Sequence, residues 1–363
     1  MSQAYIADRI FTGESWLQDH AVIVENDLIK EVVPVSSLSS STQVVQFDNC
    51  FIAPAFIDLQ IYGAGGKLLA VYPETDSLVK LKEYCEKGGA AFCLPTVATN
   101  TKEVFYQCID VVRKYWEQGD QGILGLHLEG PWINPVKRGA HVGSLIHSPG
   151  MKETEELLNY GKGVIKMITL APETCSTEII ERILSEQIII SAGHSNANYA
   201  EAKAGFKSGI RAVTHLYNAM SPLQHREPGL AGAAMDDEQV MASIIPDGYH
   251  VDFAAVRIAK KAMKERLFVI TDAVTDTSEG HYQHKRVGDK YEAAGILSGS
   301  ALDMASALQN LVRHCHIELG EALRMCSLYP ARVMRMHNYG KIDTGCNARM
   351  VVMNDQLEVK QLL

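Results

Sequence analysis

The sequence predicts an α/β protein: a (β/α)8 barrel of the TIM type, with a small β-sandwich unit built from both termini. Three observations carry this. Eight apolar, strand-like runs recur between residues 51 and 274, segments of helical spacing separate most of them, and both chain ends read as short β-type runs. The 363 residues, 47% of them hydrophobic, suffice for one large domain and a smaller unit around a sizeable core.

At the amino terminus, YIADRIFTG, HAVIVEND and LIKEVVPV have strand character, with a turn expected at Glu25-Asn26-Asp27. The tail KIDTGCNARMVVMNDQLEVKQLL reads the same way, so residues 1–52 and 338–363 are expected to form the small unit and 53–337 the barrel. The barrel strands are expected within 51–61, 90–99, 122–131, 163–172, 188–195, 212–219, 241–250 and 267–274. Several are nearly continuous apolar runs, as in parallel strands covered on both faces. Between them, TKEVFYQCIDVVRKYWEQ carries apolar residues at three- and four-residue spacing behind a threonine suited to an N-cap. SALDMASALQNLVRHCH and EALRMCSLYPARVMRM follow the eighth strand, and Pro330 implies a kink or a break between two helices. An open doubly wound sheet is the competing architecture; its dinucleotide-binding form lacks support, because no Gly-x-Gly-x-x-Gly turn follows the first strand.

Composition narrows the partners. The formal net charge is -9, from 34 basic and 43 acidic side chains, without basic tracts. That disfavours nucleic acid and anionic membranes, but not a small phosphorylated molecule, since one local arginine can hold a phosphate. The run MSQAYIADRIF lacks the apolar stretch of a signal peptide, and no segment approaches the roughly 20 apolar residues of a membrane helix. Eight scattered cysteines without a Cys-x-x-Cys pair read as reduced core thiols. A cytoplasmic protein is expected.

Gln60, Glu129, His194, His215 and Asp272 sit at the carboxyl ends of five apolar runs. In a parallel barrel those positions converge on one mouth. One carboxylate and two imidazoles form the His2Glu set of catalytic zinc sites, with a position left open for water. Asp272 is then placed to accept a proton and return it to a leaving amine. The plainer readings are hydrogen-bonded packing histidines and an aspartate that caps its turn; the shared strand-end position favours the chemical one. His127, two residues before Glu129, faces the same way one layer deeper, as support for a ligand or as core. His314 and His316, and His281 and His284 in the polar stretch EGHYQHKR, are expected to be solvated surface.

In combination, FIDLQIYGAGG (56–66), GLHLEGPWINPVKRGAH (125–141), SAGHSNA (191–197), THLYNAM (214–220), HREPGLAG (225–232), PDGYHV (246–251), TDA (271–273) and LSGSALDM (297–304) resemble the N-acetylglucosamine-6-phosphate deacetylases of the amidohydrolase superfamily. The resemblance implies Glu129, His194 and His215 as metal ligands, Asp272 as acid/base, and His141 beside the acetyl carbonyl. It also implies Asn218 and the Ala219 backbone at the phosphate, His250 at sugar hydroxyls, and Gln60 among the substrate-facing residues. Arg226 would reach the phosphate from the neighbouring subunit of a homodimer. One divalent ion per subunit is implied, zinc first and iron(II) second, because Gln60-Ile61-Tyr62 replaces the His-x-His of two-metal members. Tyr62, Ala55 and Arg349 depart from the usual pattern. The implied reaction is hydrolysis of the acetamide of N-acetyl-D-glucosamine 6-phosphate. The alternatives are the N-acetylgalactosamine isomer, another amide, or a barrel retained for binding alone.

Overall fold

The computed structural model describes residues 2–119 and 122–363. The terminal unit is a seven-stranded sheet. Its main path runs Val359–Leu362, Met350–Asn354, Gln43–Pro54, Gln3–Phe11, His20–Glu25, Leu28–Pro34, and Trp16–Leu17 pairs beside Gln3–Phe11. The turn at Asn26 and Asp27 forms as expected, with φ of 53° and 59°; both residue types tolerate the left-handed region that such a tight hairpin requires. The sheet rolls on itself, since Leu28 bridges Asn347 and the Ile29 amide donates to the Cys346 carbonyl at 2.8 Å. Inside the roll lie Ile10, Val22, Ile29, Ile52, Met350 and Val352.

All eight expected barrel strands are present. They are β1 (Phe56–Ile61), β2 (Ala90–Ala98), β3 (Leu126–Glu129), β4 (Ile165–Leu170), β5 (Ile189–Ala192), β6 (Ala212–Val213), β7 (Met241–Ile244) and β8 (Leu267–Val269). They pair in parallel in chain order. The segment just beyond β8 closes the ring: Ile61 bridges Ala273, the Asp272 amide donates to the Gln60 carbonyl at 2.9 Å, and the Tyr62 amide donates to the Ala273 carbonyl at 2.9 Å. The apolar run 51–61 is shared between the two sheets. Its first part, up to Pro54, pairs antiparallel with Met350–Asn354, and Phe56 opens the barrel. Every residue of β1 is buried, which explains a sequence without alternation.

Helices α1 (Thr75–Lys87), α2 (Lys102–Trp116), α3 (Met151–Tyr160), α4 (Thr177–Ser185), α5 (Tyr199–Lys207), α6 (Gly229–Asp236) and α7 (Phe253–Met263) alternate with the strands; α8 (Met304–Arg313), α9 (Leu319–Cys326) and α10 (Leu328–Val333) follow them. Thr101 stands at the start of α2, although its side chain makes no capping bond. The break near Pro330 falls at Ser327, leaving the proline in the first turn of α10, where a missing N–H costs nothing.

One region departs from expectation. The stretch read as a polar loop carries a three-stranded antiparallel sheet, His284–Val287, Lys290–Ala293 and Ile296–Ser300. Its last strand is tied to the barrel mouth by the Ser300 amide, which donates to the Asp272 carbonyl at 2.8 Å. His281 is exposed as expected, but His284 is buried, stacked beside Tyr282 and bonded to Ser298 Oγ at 2.7 Å. The period-two alternation of buried Tyr282 and His284 with exposed Gln283 and Lys285 marks a strand, not a solvated loop. His314 and His316 are exposed. All eight cysteines are unbonded. Among the described residues no helix is long and apolar enough to cross a membrane.

Candidate metal centre and active site

The barrel's carboxyl end opens into a cavity of about 370 Å³. At its floor Glu129 closes β3, while His194 and His215 lie two residues beyond β5 and β6. Glu129 Oε1 lies 3.1 Å from His215 Nε2 and 3.3 Å from His194 Nε2, and the two Nε2 atoms are 3.1 Å apart. His141 arrives from the loop after β3, its Nε2 3.1 Å from Glu129 Oε2. Asp272, after β8, lines the same cavity. His194, His215 and Asp272 have positive φ (46°, 35° and 55°), so each chain turns sharply as it leaves its strand and holds its side chain over the mouth.

These donors suit a divalent cation. Protein nitrogen and oxygen ligands lie about 2.0–2.2 Å from zinc, so tetrahedral ligand atoms sit roughly 3.3–3.5 Å from one another. The observed separations are close to that. His194 Nδ1 meets the Lys137 carbonyl at 2.9 Å; donating there leaves Nε2 with the lone pair a metal needs. Glu129, His141 and His194 present ligand atoms within 4.8 Å of one another, and His215 Nε2 stands 3.1 Å from both Glu129 Oε1 and His194 Nε2, so either His141 or His215 can complete a buried set with Glu129 and His194. The chain therefore carries a buried Glu/His/His group able to bind a metal.

Electrostatics within the cluster are strong. Burial opposes the Glu129 charge, but His194, His141 and His215 outweigh it and hold the carboxyl well below its usual range. Asp272 is pushed well above it, first by burial and then by Glu129. Burial together with His194 lowers His141 to about 4. Gln60 Nε2 mediates between the two carboxylates, 2.9 Å from Glu129 Oε1 and 2.8 Å from Asp272 Oδ1. Tyr62 adds its hydroxyl, which donates to Glu129 Oε2.

A model of the amidohydrolase family matches residues 51–362, and one of the NagA composite domain matches residues 4–48. The chain belongs to the amidohydrolase family. It is 32% identical over 373 residues to an N-acetylglucosamine-6-phosphate deacetylase of Haemophilus influenzae, covering 99% of this amidohydrolase and 97% of the relative. An N-acetylgalactosamine-6-phosphate deacetylase of Escherichia coli O157:H7 is 29% identical, with 100% and 98% covered. The crystal structure of N-acetylglucosamine-6-phosphate deacetylase from Pasteurella multocida superposes with a TM-score of 0.95 at 30% identity, covering 100% of this chain and 98% of that one.

Of the residues singled out in the sequence, Glu129, His141, His194, His215, Asn218, Ala219, His250 and Asp272 all line the cavity of this amidohydrolase. His250 Nδ1 is held by Asp247 Oδ2 at 2.6 Å, and Asn218 Nδ2 is buried without a partner. Gln60 lies beneath, its Nε2 donating to the two carboxylates and standing 2.8 Å from the Tyr62 hydroxyl, a third neighbour for its two N–H bonds. Arg226 is exposed on the loop before α6, outside the lining. Sequence reading missed Thr99, whose Oγ1 meets His141 Nδ1 at 2.7 Å, and the wall formed by Tyr282, His284 and Ser298. The latter was legible in the alternation at 282–285; Thr99 ends the expected strand 90–99, but threonine is an ordinary strand residue and does not stand out there.

Proposed function

We propose that this amidohydrolase hydrolyses the acetamide of N-acetyl-D-glucosamine 6-phosphate, releasing acetate and glucosamine 6-phosphate. The observation that carries the reading is the meeting of Glu129, His194, His215, His141 and Asp272 around one cavity, in a chain with full-length relatives that bear that deacetylase name. Glu129, His194 and His215 would hold one divalent ion, zinc by their donor types, with iron(II) the other ion such ligands suit. The ion supplies Lewis acidity, lowering the pKa of water to about 7 and polarising a carbonyl oxygen.

The chain's own residues do the rest. In its ionised form, which the bond donated by Gln60 Nε2 to Oδ1 favours against burial and the Glu129 charge, Asp272 accepts the proton of the attacking water and passes it to the departing nitrogen, so one carboxylate serves both half-reactions. Gln60 keeps Asp272 Oδ1 and Glu129 Oε1 apart by donating to both. With the Thr99 hydroxyl donating to Nδ1, His141 presents Nε2–H to the oxygen that gains charge as the carbonyl becomes tetrahedral. Asn218 and the Ala219 backbone address the phosphate, and His250, oriented by Asp247, addresses the sugar hydroxyls. Arg226 lies outside its own cavity, which supports a homodimer in which it reaches the neighbour's phosphate. The unbonded cysteines support a cytoplasmic setting.

Steady-state rates on both C4 epimers, with and without the 6-phosphate, test the assignment. The expected outcome is the highest kcat/KM on N-acetyl-D-glucosamine 6-phosphate, with a loss of at least about tenfold when the phosphate is removed, the size of one charge-assisted contact. Equal rates on the phosphorylated and unphosphorylated sugars would remove the phosphate roles, and preference for the galactose epimer would favour the second substrate.

A further inference from the structure

We propose that Lys137 is a specificity-determining residue: its ammonium supplies, from within the same subunit, the cation that anchors the substrate's phosphate. The inference rests on the function proposed above and adds a residue to it. Lys137 is the one lysine or arginine among the described residues that line the cavity. Its neighbour Arg138 is turned away, donating to the His141 carbonyl at 2.9 Å. Elsewhere in the barrel Lys102, Lys203 and Lys260 are ion-paired, with Glu156, Asp237 and Glu321. Lys137 has no ion pair among the described residues, although the chain holds 43 acidic side chains against 34 basic ones.

Its main chain is fixed. The Lys137 amide donates to the Asn134 carbonyl at 2.9 Å, its carbonyl meets His194 Nδ1 at 2.9 Å, and Asn134 caps the turn by accepting from the Val136 amide at 2.9 Å. The root of the side chain is thus tied to a ring of the metal centre. The segment that follows packs against the turn at Asn218 and Ala219: a Cβ on Gly139 would stand 3.5 Å from His194 Cε1 and 3.9 Å from the Ala219 Cβ. On that turn Asn218 Nδ2 is buried, lines the cavity and has no acceptor.

An ammonium without a counter-ion and an amide donor without an acceptor therefore border one cavity, on adjoining segments. Both are satisfied by a single anion with several acceptor oxygens, which is what a phosphate monoester offers. A net charge of -9 and the carboxylates Glu129 and Asp272 at the floor repel such an anion unless a local cation draws it to the rim. Lysine suits the task as a flexible point charge, whereas the planar fork of arginine demands a fixed approach.

The test is Lys137→Met beside Lys137→Arg in the full chain. Binding of glucose 6-phosphate, which has no acetamide, is measured by calorimetry alongside kcat and KM on N-acetyl-D-glucosamine 6-phosphate and on the unphosphorylated sugar. Lys137→Met should weaken glucose 6-phosphate at least tenfold and cut the phosphorylated-to-unphosphorylated kcat/KM ratio at least tenfold, chiefly through KM. Bound metal per chain should hold, because the backbone carbonyl at His194 remains, and Lys137→Arg should recover most of the loss. An unaltered ratio and unaltered glucose 6-phosphate binding in Lys137→Met overturn the proposal, as does an equal loss on both sugars. If wild-type protein binds glucose 6-phosphate but cleaves no acetamido sugar phosphate, the proposed reaction fails while the binding comparison still decides the role of Lys137.

Discussion

Two layers of the barrel hold the same kinds of residue and use them differently. At the rim, His194, His215 and Glu129 converge with ligand atoms about 3 Å apart, and Asp272 lines the same cavity. One layer below, His127, Thr169, Thr214 and Ser191 form a chain of short contacts: His127 Nε2 to Thr169 Oγ1 at 2.7 Å, Thr169 to Thr214 at 2.7 Å, and Ser191 to Thr214 at 2.6 Å. His127 Nδ1 also meets the Leu59 carbonyl at 3.2 Å. Carboxylates divide in the same way. Asp58 sits inside β1 and accepts from the Thr271 hydroxyl, the Thr271 amide and the Gln60 amide, whereas Asp272 stands at the mouth. The lower groups have protein partners for their polar atoms; the rim leaves His215 Nδ1 and Asn218 Nδ2 without one. Residue type does not separate catalysis from packing here. Position along the strand does, because the residues that close or follow the strands' carboxyl ends meet at one mouth.

The largest effect should come from the rim. Asp272→Asn keeps the shape and removes the proposed base, so turnover should fall at least about a thousandfold, within the range of a lost general acid–base. Elemental analysis should show metal retained in Asp272→Asn and lost in Glu129→Gln, which weakens the one anionic member of the proposed ligand set. A rate within tenfold of wild type in Asp272→Asn would take the proton shuttle away from this residue and blur the boundary between the layers.

Much of the rim was legible in the sequence, for a physical reason. Parallel strands buried on both faces are almost wholly apolar, so a polar residue at the end of such a run stands out, as Glu129 does after GLHL and His194 after IIISAG. Of the lower layer only His127 was legible, from its place two residues before Glu129 on the same face of the strand; its hydroxyl partners were not. Threonine and serine are ordinary strand residues, and the Thr169–Thr214–Ser191 contacts join three strands whose lateral register no local pattern reports. A closed barrel was expected, but not the contact that closes it, where the segment after β8 returns beside β1 and the Asp272 amide donates to the Gln60 carbonyl. The left-handed backbone at His194, His215 and Asp272 was invisible too, because none of them is a glycine and only the tertiary contacts impose it.

Asp58 provides a pH test of the lower layer. Burial raises its carboxyl to about 6 against its hydrogen bonds from Thr271 and Gln60, whereas the unfolded chain has a value of about 3.9. The folded state thus binds the proton more tightly. The stabilisation from this group is complete below about pH 4 and is lost as pH rises through about 6, a change on the order of 3 kcal/mol for a shift of roughly two units. Denaturant unfolding between pH 4 and pH 7 should show wild type losing stability relative to Asp58→Asn across that window. Parallel curves for the two proteins would mean that the buried carboxyl titrates as if in water.

The smallest effect sharpens the comparison most. His127→Leu leaves the Leu59 carbonyl and the Thr169 hydroxyl each short of one partner, at a cost of about 1–3 kcal/mol for a buried polar group left unmatched. Because His127 touches neither the Glu129 carboxylate nor the imidazoles of His194 and His215 among the described contacts, bound metal should stay at the wild-type level. Under the same account kcat/KM should fall less than tenfold while the unfolding midpoint drops. His127→Gln, which restores a donor and an acceptor at the same place, should recover part of the stability. Loss of metal from His127→Leu would show that the hydroxyl chain sets the geometry of the ligands above it, and the two layers would then have to be treated as one site.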